Sequence, residues 1–146
     1  MRRYLILAVS AMFLFDMSAP ATGVVELSID EVQHNYGTLW VGIYDSEEAF
    51  LDRDRAELRA VEIRDLKDKK VYLNNLSYGD YAVAVFHDLN DNGEMDFNWA
   101  GGPTEPFAFS RPVASKWRVP KFSEVKIGLY QSRRTIRTSL KSWWDQ

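Results

Sequence analysis

Leu76-Ser77-Tyr78-Gly79-Asp80-Tyr81-Ala82-Val83-Ala84-Val85-Phe86-His87-Asp88 is the stretch that decides the fold. Its first six residues have the Leu-x-x-Gly-x-Tyr form of a tyrosine corner. In such a corner the phenol hydroxyl bonds back to upstream backbone and holds the chain as it passes between the sheets of an immunoglobulin-like sandwich. From Tyr81 onward the side chains alternate with period two. Tyr81, Val83, Val85 and His87 share one face, and Ala82, Ala84 and Phe86 share the other. Both faces are apolar, so this is expected to be a central strand covered on both sides.

Upstream, Val25, Leu27 and Ile29 alternate with polar neighbours, and Leu39, Val41 and Ile43 do the same. With Gln33-His34-Asn35-Tyr36-Gly37 between them, these two strands are expected to form a hairpin. Ser46 is placed to cap a short helix over 47–51, with Glu47 and Glu48 where the helix dipole favours acids. Val61 and Ile63, then Val71 and Leu73, mark two more strands. Downstream, residues 98–121 hold Gly101, Gly102, Pro103, Pro106, Pro112 and Pro120 and read as a long irregular connection. Val125, Ile127 and Leu129, then Ile136, Thr138 and Leu140, supply the last two strands. The expectation is all-β: an antiparallel, seven-stranded, immunoglobulin-like sandwich with one short helix.

The segment leaving the central strand carries the chemistry. Asp88, Asn90, Asn92 and Asp96 occupy places one, three, five and nine of a calcium-loop pattern, and Gly93 stands at place six, where such a loop turns sharply. Alternate oxygen side chains of a curled loop converge on one hard cation, and the Glu94 carbonyl at place seven adds to them. Place twelve is Trp99, not the bidentate glutamate of an EF-hand, so Glu105 is the candidate for the closing carboxylate. The competing reading is a polar turn. Asn92-Gly93 is a strong type I′ signal, and the Asp and Asn side chains of 88–96 can cap their own backbone. With three carboxylates, any calcium affinity belongs to the weak extracellular class, on the order of 10⁻⁴–10⁻³ M.

The chain has 146 residues, 46% hydrophobic and 27% charged, which suits a single domain. It contains no cysteine, which excludes disulfide frameworks, thiolate metal sites and cysteine nucleophiles. Arg2 and Arg3 precede an apolar run from Tyr4 to Phe15, and Ala19-Pro20-Ala21 offers the small residues that a signal peptidase reads. A signal peptide over 1–21 is expected, with a domain over 22–146 exported to the periplasm or beyond. The apolar run is shorter than the roughly 20 residues that cross a bilayer, so no transmembrane segment is expected after cleavage. Residues 22–110 carry 7 basic and 18 acidic side chains, and residues 111–146 carry 9 and 2. The basic groups fall in strand-like sequence. They read as solvated faces beside acidic neighbours, not as a nucleic-acid surface.

His87, Asp88 and Ser110 suggest a hydrolase triad, but no Gly-x-Ser-x-Gly elbow surrounds Ser110. His34 and His87 lack the paired spacing of a zinc site. Trp40, Tyr44, Trp99, Phe107, Phe109 and Trp117 either anchor loops or form an aromatic surface for a protein, peptide or glycan. Trp143-Trp144 either docks on the domain or engages a partner.

The stretch Gly79–Asp96, followed by Gly102-Pro103-Thr104-Glu105 and by Phe109-Ser110, resembles the exported, mainly bacterial proteins of the domain of unknown function 2141 family. Weaker echoes lie at Ala49-Phe50 and Pro120-Lys121-Phe122. Ser77-Tyr78 stands where that pattern has a proline pair, Ala108 where a glycine is usual, and Arg111 where an asparagine follows the serine. The resemblance implies a prealbumin-like or immunoglobulin-like sandwich and brings no established activity.

Overall fold

The computed structural model describes residues 21–115 and 117–145. Residues 1–20, which hold all but the last residue of the expected leader, lie outside the described residues. Among the described residues there are eight strands: β1 (Thr22–Asp30), β2 (Thr38–Tyr44), β3 (Glu57–Glu62), β4 (Lys70–Ser77), β5 (Gly79–Asp88), β6 (Phe107–Phe109), β7 (Ile127–Leu129) and β8 (Arg133–Ser139). A single α-helical turn, α1 (Phe122–Val125), precedes β7. The strands form two sheets. One has the order β4-β1-β8, and the other β3-β2-β5-β6, with β7 paired to residues 79–81 of β5.

The period-two pattern of each strand aims its branched and aliphatic residues at a common interior. Val25, Leu27 and Ile29 of β1 lie in one buried cluster with Leu39, Val41 and Ile43 of β2 and with Val83 and Val85 of β5. On the opposite face of β5, Ala82 is buried with Tyr44, Phe122 and Val125, and Phe50 and Phe109 pack against them. β5 therefore has buried residues on both faces, with its outer face closed at the Ala82 end. The corner is also in place. Tyr81 Oη donates to the Ser77 carbonyl at 2.8 Å, where the chain leaves β4 in one sheet and enters β5 in the other.

Several expectations are corrected. There are eight strands, not seven, because Phe107–Phe109 pairs with Ala84–Phe86; three residues behind Pro106 are too few to show alternation. The sheets are not wholly antiparallel, since β8 runs parallel to β1 from Val24↔Arg133 to Asp30↔Ser139. Periodicity assigns a face but not a partner's direction. β1 and β2 do not pair and belong to different sheets. The helix expected over 47–51 is a run of turns, with Asp52 N donating to Ala49 O at 3.0 Å and Leu51 at a positive φ of 63°. So short a segment closes too few helical bonds to offset nucleation. The short helix forms instead at 122–125, where Glu124 accepts from the Lys121 N–H at 2.8 Å.

The opposed charges of the two halves meet across the strands. Arg133 pairs with Glu26, Arg137 with Asp30 and Lys126 with Asp80. Glu26 lies on the middle strand of its sheet and binds both neighbours, Lys70 Nζ of β4 at 2.6 Å and Arg133 Nη1 of β8 at 2.9 Å. Hydrogen bonds from Lys70 and then Arg133 hold its carboxyl below the ordinary value of 4.5. A carboxylate depressed in this way contributes stability above about pH 4.5 and loses it as pH falls through the lowered folded value. Urea titrations from pH 7 down to pH 3 are expected to show Glu26→Gln less stable at neutral pH and with a shallower acid-side decline than wild type. In the same assay Tyr81→Phe is expected to lose about 1 kcal/mol, the usual net worth of one hydrogen bond, at all these pH values.

Candidate functional site

β5 ends inside the protein, and Asp88, its last residue, has no exposed surface. A buried carboxylate needs donors. Asp88 Oδ1 accepts from Asn92 N at 3.2 Å, and Oδ2 accepts from Gly93 N at 2.7 Å and from Trp40 Nε1 at 3.2 Å. These bonds curl residues 88–93 into a tight loop. Gly93 completes the turn at a φ of +80°, where a side chain is strained. Asn90 and Asn92 accept through their oxygens from Asn92 N (3.1 Å) and Glu94 N (2.8 Å), and donate through their amide nitrogens to the Asp96 carboxylate at 2.7 and 3.1 Å.

Glu105 reaches back from the far side of the connection. It is buried, and its two oxygens accept from Leu89 N at 2.8 Å and Asp96 N at 3.4 Å. Burial pushes its carboxyl above the ordinary range. The two N–H donors oppose that push, and the charges of Asp88 and Asp96 add to it. Asp88, Asn90, Asn92, Asp96 and Glu105 thus belong to one hydrogen-bonded loop region, in which the asparagine and aspartate side chains bond to the loop's own backbone and to one another. Glu94, expected to offer its backbone carbonyl, is also among the residues that line a neighbouring cleft. Among the described residues, no three His, Cys, Asp or Glu side chains converge closely enough to hold a metal by themselves. The remaining oxygens belong to asparagines whose amide nitrogens face Asp96.

Three supports of this loop have no signal in the loop sequence. Arg53 Nη1 donates to the Gly93 carbonyl, and its guanidinium lies 5.0 Å from the centre of the Trp40 ring. Thr38 Oγ1 donates to Asp91 Oδ1 at 2.8 Å. Gly37, at a φ of +84°, lies so close that a Cβ there would sit 2.3 Å from the Asp88 carbonyl oxygen. Beyond the loop, Thr104 N to Asp96 O and Asn98 N to Gly102 O, both 2.9 Å, fold residues 96–104 into a small closed arch.

His87 closes the core face. It is buried, its Nε2 contacts the Tyr36 carbonyl at 2.7 Å, and its ring is 6.2 Å from that of His34. Ser110 is committed elsewhere: Oγ donates to the Val125 carbonyl at 2.6 Å and accepts from Val83 N at 2.9 Å. Val83 is four residues from His87 along an extended strand, a distance of about 13 Å at 3.3 Å per residue. His87, Asp88 and Ser110 therefore do not assemble a triad.

A cleft of about 580 Å³ opens beside the loop, on the outer face of β2, β5 and β6. Trp40, Tyr44, Phe107, Phe109 and Trp117 of the expected aromatic set line it; Trp99 does not, and is almost wholly exposed. The C-terminal tail docks at the same place. Lys141 bridges Phe107 through backbone bonds of 3.0 and 3.1 Å, and Trp143 meets Trp117 edge to face with centroids 6.0 Å apart.

Fold and site together define a two-sheet β domain with an Asp/Asn-rich loop at the end of its central strand and an aromatic cleft beside that loop. The chain belongs to the family described as uncharacterized protein conserved in bacteria (DUF2141), which matches residues 27–137. No curated protein and no solved structure matches it. Among the described residues, no helix is long and apolar enough to cross a membrane.

The two backbone bonds of Ser110 assign it a structural role. Ser110→Ala, which removes a buried acceptor for Val83 N–H and a donor to Val125 O, is expected to cost about 1–3 kcal/mol in chemical denaturation.

Proposed function

We propose that this is an exported, non-enzymatic protein of the immunoglobulin-like or prealbumin-like sandwich class. In this reading, calcium pins the loop 88–96 and so steadies a recognition surface formed by residues 88–110 in the periplasm or cell envelope. The tyrosine corner between the two sheets supports the fold class. The Arg2-Arg3 and apolar leader pattern supports export. The observation that carries the metal reading is the buried Glu105 carboxylate, which reaches back to accept from the Leu89 and Asp96 N–H groups of the same loop that holds Asp88 and Asp96.

The donor set fits a hard cation. It offers oxygens only, from Asp88, Asp96 and Glu105, from the carboxamides of Asn90 and Asn92, and from the Glu94 carbonyl. A half-turn of each carboxamide exchanges its nitrogen for its oxygen. Bound calcium would draw these oxygens together, supply positive charge among Asp88, Asp96 and Glu105, and tie Glu105 to residues 88–96.

Calorimetric titration with calcium tests the reading, followed in parallel by thermal melting. One site is expected with a dissociation constant on the order of 10⁻⁴–10⁻³ M, and stabilisation of about 1.4 kcal/mol at ten times that concentration. The Asp88→Ala/Asp96→Ala variant is expected to lose both the heat and the stabilisation. Absence of both in wild type at 10 mM calcium would leave a self-capped polar loop and overturn the metal reading.

A further inference from the structure

Beside the loop, the cleft combines an apolar lining with Arg53, which has no carboxylate ion-pair partner among the described residues. We propose that it binds a single-chain anionic amphiphile, with the apolar chain along the floor of Trp40, Ala84 and Phe107 and the anionic end paired to Arg53. This deepens the reading of the 88–110 region as a recognition surface, and rests on it.

The volume, about 580 Å³, falls in the range of small-molecule sites. The lining selects against polar ligands. Apart from Arg53, Glu94, Ser115 and Arg118, the side chains around it are almost entirely hydrocarbon or aromatic. A sugar or a peptide backbone would leave most of its hydroxyls or amides without partners there, which costs free energy for each. The mouth is apolar as well. Phe97, Trp117 and Val119 line the cleft yet are 61%, 77% and 68% exposed, so a bound chain would take large apolar groups out of water.

The charges choose the end group. Arg118 is held by both carboxylate oxygens of Glu124, at 2.7 and 2.6 Å, and that bond keeps the rim segment tied to α1. Arg53 pairs with no carboxylate among the described residues; it donates to the Gly93 carbonyl and stacks on Trp40. A guanidinium with unused donors beside apolar walls pairs well with a carboxylate, which accepts two parallel N–H bonds. Arg53 and Trp40 are also the residues that hold the loop, through Gly93 O and Asp88 Oδ2. The cleft and the loop therefore share their supports.

The test is titration of the purified protein with decanoate and with decan-1-ol, below micelle formation, by calorimetry and tryptophan emission. One-to-one binding is expected, with decanoate at least tenfold tighter than the alcohol. Arg53→Met is expected to abolish that preference, weakening decanoate at least tenfold more than the alcohol. Ala84→Leu, which fills the floor, is expected to weaken both ligands at least tenfold, with circular dichroism confirming that the variant is folded. The proposal is overturned by equal affinity for acid and alcohol, by binding that ignores Ala84→Leu, or by association with phosphatidylglycerol vesicles without one-to-one decanoate binding. Running each titration in calcium and in chelator separates the two readings: decanoate binding without any calcium heat sinks the loop reading alone, and calcium heat without decanoate binding sinks the cleft alone.

Discussion

The buried Asp88 carboxylate is the constraint around which the functional end of this protein is arranged. β5 is paired with β2 from Ala82 to Asp88, and its last side chain is fully buried beneath Trp40 and the following loop. An ionised group in that position must collect hydrogen bonds or be neutralised. It takes two N–H groups from its own following residues and one from Trp40. The curl of the loop is the direct consequence, and the alternate side chains of that curl then meet at Asp96 and Glu105.

The position of β5 depends in turn on how the chain crosses between sheets. Gly79 starts the strand two residues after β4 ends, and the Tyr81 hydroxyl bond to Ser77 fixes that short passage. The acidic first half and basic last half of the chain meet on the outer strand faces. Glu26 joins three strands there through Lys70 and Arg133. Surface ion pairs contribute little individually, but Glu26 is largely covered and bridges two neighbours at once.

The outer face of the β5 sheet divides its work. At one end Phe50, Phe122 and Val125 close it with Tyr44 and Ala82. Beside the loop it is left as a cleft, walled by the residues after Met95 and by the docked tail. Trp40 serves both regions, since its ring lines the cleft and carries Arg53 while its N–H holds Asp88. A change of loop conformation therefore has a short physical route to the cleft.

Local pattern made much of this legible. Period-two alternation marked β1, β2, β5 and β8, because side chains on a strand point to opposite faces whatever the strand pairs with. The Leu-x-x-Gly-x-Tyr hexapeptide announced the crossing at Ser77–Gly79, since both groups of the Tyr81 bond lie within it. The self-capping of residues 88–96 was legible for the same reason, since the Asp and Asn side chains and the backbone groups they bind lie within nine residues. What pairs at long range was not readable: the parallel match of β8 to β1, the separation of β1 from β2, and the support of the loop by Thr38, Trp40 and Arg53 all join residues dozens of positions apart. Those choices belong to tertiary structure, because a backbone edge accepts any strand of suitable length and an arginine donates to any carbonyl that packing brings within reach. The cleft is the extreme case. Its walls come from five separate segments, and only their packing decides that aromatic residues scattered from Trp40 to Trp143 enclose one space.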